Sequence, residues 1–561
     1  MRLKRRSLKL LALVLGLSLV AAACGSDDDG AGGTSDTTGG GGGGQQAGGE
    51  FVDLGTIVGD PLEHIDPALN STLDGFQITN ALYDGLTEID FTDPDNPELK
   101  GLVAESWVPN EDATEFVFTI KDGLEFSNGE PVLPSSFSLA WERASDPDFA
   151  GDYSYLFNFF DGGAAKLDGT AETISGVVAD DEAMTLTTTL SAPYANWPTV
   201  AGFQLFYPMP ASVADLADQN EWENGLMIGN GPYMLDAART PETTVLVKSD
   251  SWAGDVNGET WPDRLDKISF LTQADPDTAY NAFEAGEGDN ATVPAGRWGD
   301  AKRDHPNAIF EALGTRYFEL NWENPTVGGA ENVKLREAIM LAINRDEISE
   351  AIYDGTATVA TSLVPPGIPG FSEGICEFCR YDVEGAKAAL AEWTAAGHSQ
   401  DGPLKIQLNA DAGHEPVVQI IVDNLSAVGI EAVADPFPGE TYFSQLADGA
   451  CVMCRSGWYA DYPTYDNFTY DLFHSDAIGG NNHGRYSNPD FDALIDEAKQ
   501  TTDLDAATAL YNEAEDILLN KDIGVVPYLY YQIDYVYSED LAAFPVDPLG
   551  LIKWEAVAFK A

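Results

Sequence analysis

Two pairs of cysteines, Cys376 with Cys379 and Cys451 with Cys454, share the Cys-x-x-Cys spacing. Four thiolates so spaced can hold zinc tetrahedrally or oxidise to two disulfides, and the choice depends on compartment. Gly370-Phe371-Ser372-Glu373-Gly374 has the letters of a nucleophile elbow, which needs a strand in front and a helix behind. Here Pro365, Pro366 and Pro369 precede it and a cysteine loop follows, so the segment reads as a connector. His414-Glu415 lacks the second histidine of a zinc-protease helix, and the six histidines show no metal spacing. No catalytic centre, metal site or cofactor is expected. One acid stands out: Asp461 in Gly-Trp-Tyr-Ala-Asp-Tyr-Pro, where Trp458 and the Tyr462-Pro463 pair supply apolar cover. A carboxylate held that way can receive a cation; in open water it would be an ordinary turn residue.

The compartment is written in the first 24 residues. Arg2, Lys4, Arg5, Arg6 and Lys9 form a basic segment, and Leu10 to Val20 is an apolar stretch of signal-peptide length. Ala21-Ala22-Ala23-Cys24 follows, similar to the lipobox of bacterial lipoproteins although Ala21 stands where Leu is usual. That resemblance implies cleavage after residue 23, diacylation of Cys24 and attachment to the outer face of the cell membrane. Arg5-Arg6 leaves the general and twin-arginine export routes both open. Outside the membrane thiols oxidise, so the four body cysteines are expected as two disulfides, with three connectivities possible.

Residues 24–50 comprise the expected lipidated cysteine and a glycine-rich, polar stretch that cannot bury a core. As a coil it would reach roughly 25–30 Å, a tether rather than a domain. No strand leads into its glycines and no Gly-Lys-Ser/Thr follows, so it is not a phosphate loop. The remaining chain is too long for a single core.

Charge excludes one class of partner. The chain carries 29 Lys+Arg against 92 Asp+Glu, a net of −63. Cleavage removes five of the 29, leaving 24 against 92, or −68. Nucleic acid would be repelled. Because the acids are scattered along the whole chain, adaptation to salty surroundings is the reading preferred over attraction of cationic solutes.

Strand and helix patterns alternate, which gives an α/β class. Phe51-Val-Asp-Leu-Gly-Thr-Ile-Val-Gly-Asp60 and Thr185–Leu190 read as strands, and residues 115–126 as a hairpin arm turning at Asp122-Gly123. Residues 332–344, 381–397, 417–430 and 491–500 show helical periodicity, the third closing at Gly429, with a strand behind it.

Six segments in order resemble family 5 of the bacterial extracellular solute-binding proteins, the peptide, dipeptide and nickel group. They are residues 102–143, 177–193, 228–235, 332–348, 457–468 and 485–498, with Pro134-Ser135-Ser136 departing from the family pattern at a helix cap. The resemblance, closest to the oligopeptide binders, implies a two-lobed, type II periplasmic-binding-protein-like fold with mixed sheets, a hinge and an extra subdomain. Lobe I would take 51–89, 212–314 and 532–561, the extra subdomain 90–211, and lobe II 315–531. The hinge would lie near Gly314-Thr315 and Tyr531-Gln532.

The same resemblance implies the site. A short peptide would lie between the lobes as an added strand, its α-ammonium on Asp461 beside Trp458. Arg455 and Gly457 would meet its backbone, and Arg455 can also meet a terminal carboxylate. Leu73 would lie on the opposite pairing strand, Tyr153 and Tyr531 on the aromatic wall, and Asn409 and His414 at the far end. Leu446 stands where oligopeptide binders carry a second arginine. Implied partners are the peptide, a membrane-embedded ABC permease and, through the lipid, the membrane; a monomer is expected. Rivals are the same fold holding a nickel chelate, oligosaccharide or heme, a sensory receptor, and a serine hydrolase built on Ser372.

Overall fold

The computed structural model describes residues 45–561 apart from 47, 60, 63, 92–96, 150, 215, 217–221, 253–254, 257–258, 262–263, 295 and 411–412. The export signal, Cys24 and most of the glycine-rich segment lie outside the described residues. Among the described residues, strand structure is present upstream of position 51. Gln45–Gln46 pairs antiparallel with Ala558–Lys560 near the C-terminus. Gly48 and Gly49 then adopt φ of 73° and 116°, a region other residues rarely enter, while Asp266 accepts from the Gly49 amide at 3.0 Å.

A ten-stranded mixed sheet runs through the described residues. Two long strands, Ile309–Leu320 and Val525–Tyr537, pair antiparallel at its middle. Both are buried along almost their whole length, as strands covered on both faces are. Both are mainly apolar and aromatic, interrupted by Glu311, Arg316 and Glu319 in the first and by Gln532 and Asp534 in the second. On one side of this pair lie Met453–Tyr459, Leu404–Asn409 and Ala432–Phe437; on the other lie Asn290–Thr292, Glu50–Asp53, Lys267–Leu271, Thr243–Lys248 and Tyr233–Leu235. The long pair breaks register twice, between Glu311 and Thr315 and between Arg316 and Tyr317.

A separate four-stranded antiparallel sheet is built from Ala104–Pro109, Glu115–Ile120, Thr185–Thr189 and Val177–Asp180 in that spatial order. Helix Pro134–Ala144 covers it, with Pro134 in the first turn and the Ser136 hydroxyl accepting from the Leu133 amide. Trp141, Phe160, Trp197 and Phe206 pack edge-on and stacked within its core. Tyr462, far away in sequence, is buried in that same core at 2% exposure.

Helices Val333–Ala342, Val383–Ala395, Glu415–Val428 and Pro489–Gln500 form where periodicity places them. Asp382 caps the second, and Gly429 closes the third in the left-handed conformation. Three local expectations change. The first strand stops at Asp53, whose Oδ1 accepts from the Thr56 amide and turns the chain. Strand Glu115–Ile120 pairs with 104–109 and 185–189 instead of folding back across Asp122-Gly123. Leu73 opens helix Leu73–Leu82 rather than sitting on a strand, because burial of Ile78, Ala81 and Leu82 extends that helix upstream.

Candidate functional site

Strand Met453–Tyr459 delivers the Asp461 turn to the lining of a cavity of about 460 Å³. One residue absent from the sequence-based site organises this turn. Asn467, fully buried at the start of helix Asp466–Phe473, accepts through Oδ1 from both the Trp458 indole and the Asp461 amide, each at 3.0 Å. Its Nδ2 donates to Asp461 Oδ2 at 3.2 Å and to Asp471 Oδ2 at 3.0 Å. Nothing in an asparagine nine residues after an indole announces that role.

From the facing side Tyr153 donates its hydroxyl to Asp461 Oδ1 at 2.9 Å. Phe76 and Phe203 flank the Tyr153 ring, and Phe203 meets Tyr462 edge-on at 6.1 Å. Asp461 thus has neutral hydrogen-bond donors and no cationic partner among the described residues. Burial pushes its carboxyl up to about 7, Asn467 and Tyr153 pull it partly back, and the neighbouring Asp471 raises it further. Asp471 is itself raised to about 6, chiefly by burial and then by Asp466.

Leu73, Tyr153, Trp458 and Asp461 all line this cavity. Arg455, Tyr531, Asn409 and His414 do not. Arg455, Tyr531 and His414 belong to a second cluster, in which Tyr459 stacks on Tyr531 at 4.2 Å, and Asn409 ends the strand Leu404–Asn409. Arg455 donates to the Tyr531 hydroxyl at 3.0 Å, and its Nε is buried without a partner. Arg316, which the sequence reading passed over, lays its guanidinium on the Tyr531 ring at 3.9 Å. It sits opposite Gly457 on the paired strand. Gly457 has no room for a side chain: a Cβ there would come within 2.3 Å of the Tyr531 hydroxyl oxygen.

Among the described residues neither guanidinium has a carboxylate at ion-pair distance, despite the chain's acidity. The consequences spread to their neighbours. Burial would raise the Tyr531 phenol, yet Arg455 and Arg316 together hold it below its ordinary value. His414 is depressed to about 2 by burial, then by Arg455 and Arg316, so it is neutral at any ordinary pH. Asn409 has a buried carbonyl oxygen with no partner. Leu446 is wholly buried against Tyr442 and the Cys451–Cys454 disulfide, so no arginine substitutes there.

Each Cys-x-x-Cys pair closes on itself, Cys376 with Cys379 and Cys451 with Cys454. Ser372 lies in an irregular loop with neither strand before it nor helix after it. No helix of the described residues is long and apolar enough to cross a membrane.

Residues 98–480 match the family described as bacterial extracellular solute-binding proteins, family 5. The probable deoxycholate-binding periplasmic protein YgiS of Escherichia coli is 27% identical over 504 residues, covering 85% of this chain and 91% of that protein. The oligopeptide-binding protein OppA of Bacillus subtilis is 25% identical over 493 residues, covering 85% and 87%. Among solved structures, the murein tripeptide binding protein MppA of Escherichia coli superposes with a TM-score of 0.77 at 23% identity, over 92% of this chain and 99% of that one. OppA of Haemophilus influenzae in complex with the peptide RPPGFSPFR gives 0.75 at 23%, over 92% and 100%. These neighbours share the two-lobed α/β fold expected from the sequence. With its matching region covering well over half its length, the chain belongs to family 5 of the bacterial extracellular solute-binding proteins.

Proposed function

We propose that this protein captures short peptides outside the cell membrane and delivers them to an ABC importer. The observation that carries the reading is Asp461: a carboxyl held by two neutral donors in the lining of an aromatic cavity, with no cation among the described residues to balance it. A peptide's α-ammonium supplies that charge. Arg455 and Arg316 offer the complementary pole for the terminal carboxylate, with Tyr531 fixing both. The names of similar proteins, oligopeptide-binding and murein tripeptide binding among them, support the same class.

Closure would pivot where the two long strands cross between lobes, near Gly314-Thr315 and Tyr531-Gln532, at the first register break. Lobe I would comprise 51–89, 212–314 and 532–561, the extra subdomain 90–211, and lobe II 315–531. Tethering through Cys24 would keep the monomer at the outer membrane face, where Cys24→Ala should release it into the medium. Calorimetric titration with matched free and N-acetylated tripeptides tests the central claim. Free peptides should bind at least a hundredfold tighter, because a buried acid left unpaired costs about 3 kcal/mol or more. Equal binding of both forms would overturn the peptide reading, and mass spectrometry of co-purified solute would then separate nickel chelate, oligosaccharide and heme.

A further inference from the structure

The cavity beside Asp461 continues well past the point an α-ammonium needs. Its floor is one face of helix Leu73–Leu82, with Leu73, Phe76 and Asn80 turned into it and Asp84 just beyond the helix end. From Phe76, beside Tyr153, to Leu82 the helix rises roughly 9 Å at 1.5 Å per residue, and Asp84 lies two residues further on. The far end is built for something positive. Asp84 accepts from the Trp252 indole at 2.8 Å, and no ion pair engages it among the described residues. Glu88, Asp547 and Glu555 line the same end, while Lys553 is the one cation among the described lining residues and leans toward Glu88 at 4.0 Å. Tyr207 turns its ring into the space and spends its proton on Asn80 Oδ1 at 3.3 Å.

An independent feature points the same way. Gln204 is 3% exposed and lines this cavity. Its Nε2 is committed to the Phe76 carbonyl at 3.1 Å, which fixes the amide orientation and leaves Oε1 buried with no partner. An orphaned acceptor costs about 1–3 kcal/mol unless a ligand donor reaches it. Carboxylates, an orphaned carbonyl and the faces of Tyr83, Tyr207 and Phe76 together suit an organic cation with an apolar stem. An anionic solute would be repelled.

We infer that this end of the cavity is a specificity pocket for a basic side chain, a lysine or arginine in the first two residues of the bound peptide, received by Asp84 with Gln204 as a neutral acceptor along its path. The inference rests on the peptide reading above. Burial holds the empty Asp84 carboxyl up at about 7, with the Trp252 indole pulling it partly back, Glu555 and Glu88 raising it and Lys121 lowering it. An arriving cation therefore also settles its ionisation.

Calorimetry on the full chain at pH 8 would compare Lys-Ala-Ala with norleucine-Ala-Ala, and Ala-Lys-Ala with Ala-norleucine-Ala, since norleucine keeps the stem and loses the charge. In one pair the lysine peptide should bind about tenfold tighter or more. That advantage should shrink below about threefold in Asp84→Asn, and Ala-Ala-Ala should bind both proteins alike. Equal affinities within both pairs, or an advantage undiminished in Asp84→Asn, would overturn the pocket while leaving the peptide reading standing. If Asp84→Asn does not fold, Gln204→Met should cut the same lysine advantage, and an undiminished advantage there counts equally against the pocket. If no peptide binds at all, the peptide reading fails, and cadaverine against pentylamine decides the pocket: tighter diamine binding keeps it, equality or no binding ends it.

Discussion

Tyr153 and Asp461 meet across the cleft, hydroxyl to carboxyl oxygen at 2.9 Å, although they are 308 residues apart. A phenol is a neutral donor, so the contact steadies the carboxyl without balancing its charge. The pair therefore joins two sides of the site while leaving the acid ready for a cation.

Binding of an ammonium should consequently depend on pH. Asp461 is held near 7 by burial, so it is largely protonated at pH 5 and ionised at pH 8.5. Affinity for a free peptide should peak at about pH 7–8 and fall by up to about tenfold per pH unit below 6 as Asp461 protonates. It should fall again above about pH 8 as the peptide's own α-ammonium loses its proton. Calorimetry from pH 5 to 8.5 measures the profile; an affinity unchanged across that range would refute the role. Asp461→Asn should weaken free peptides at pH 8 by about a hundredfold and flatten the acid side of the profile. Tyr153→Phe, which removes a donor to the ionised form, should shift the midpoint upward.

The fold itself should prefer mild acid. Asp53 and Asp471 are buried and raised to about 6, both chiefly by burial, from an unfolded value of 3.8. A raised folded pKa stabilises below the unfolded pKa and loses that contribution as pH climbs through 6, about 2–3 kcal/mol per fully buried group. Carboxyls shifted the other way, such as Asp266 and Asp516, are more exposed and titrate below this window. Surface repulsion at a net charge of −63 has the same sign. The thermal midpoint should be higher at pH 5 than at pH 8 by roughly 5 °C. Raising salt from 0.01 to 1 M should narrow that gap without closing it, because screening reaches the surface charges and not the buried acids. A midpoint insensitive to both variables would contradict the account.

Local signals were legible and long-range ones were not. Helix Glu415–Val428 announced itself through apolar spacing and Gly429, both local. The Cys-x-x-Cys pairs announced oxidation, but spacing alone could not choose among three pairings; the short way round proved to be the one formed. The family resemblance puts Leu73 on a strand, yet the Asn70 side chain accepts from the Thr72 amide and a helix begins at Leu73. Asn467, Arg316, Asp84 and Gln204 matter through partners tens to hundreds of residues away or, for Asn467, through a turn whose shape no pattern encodes. Arg316 shares its strand with Glu311 and Glu319, so its charge alone did not single it out.

Those disulfides span four residues each, so their entropic contribution is small. Loop-closure arithmetic gives about 2 kcal/mol per bond. Peptide mapping without reduction should recover Cys376 joined to Cys379 and Cys451 joined to Cys454, with no cross-linked fragments. Reduction should lower the thermal midpoint by a few degrees without unfolding the protein at 25 °C. Cross-linked fragments would reject the pairing, and stoichiometric zinc on freely alkylated thiols would reject oxidation altogether.

The arginine cluster gives the sharpest test of where a ligand's negative end goes. One guanidinium lies on the Tyr531 ring and the other donates to its hydroxyl. Neither has a carboxylate at ion-pair distance among the described residues, and His414 registers their field. In the empty protein the His414 imidazole should stay neutral from pH 5 to 8, with no titration in its ring resonances. Burial is the larger cause of that depression and the guanidiniums the smaller, so Arg455→Met should raise the His414 pKa without restoring its ordinary value. A carboxylate bound between the arginines cancels the same field, so a free-acid peptide should also raise it, whereas the C-amidated twin should leave it unmoved. Affinity should follow: amidation should weaken binding about tenfold or more in the native protein, and by less than threefold once Arg455 or Arg316 is replaced by Met. Removing one of two unpaired buried charges relieves repulsion, so neither variant should lower the thermal midpoint of the empty protein by more than a few degrees. If amidation costs nothing in the native chain, the arginines receive no carboxylate and only Asp461 anchors the ligand; if it costs as much in both variants as in the native chain, the carboxylate is held somewhere other than on this pair.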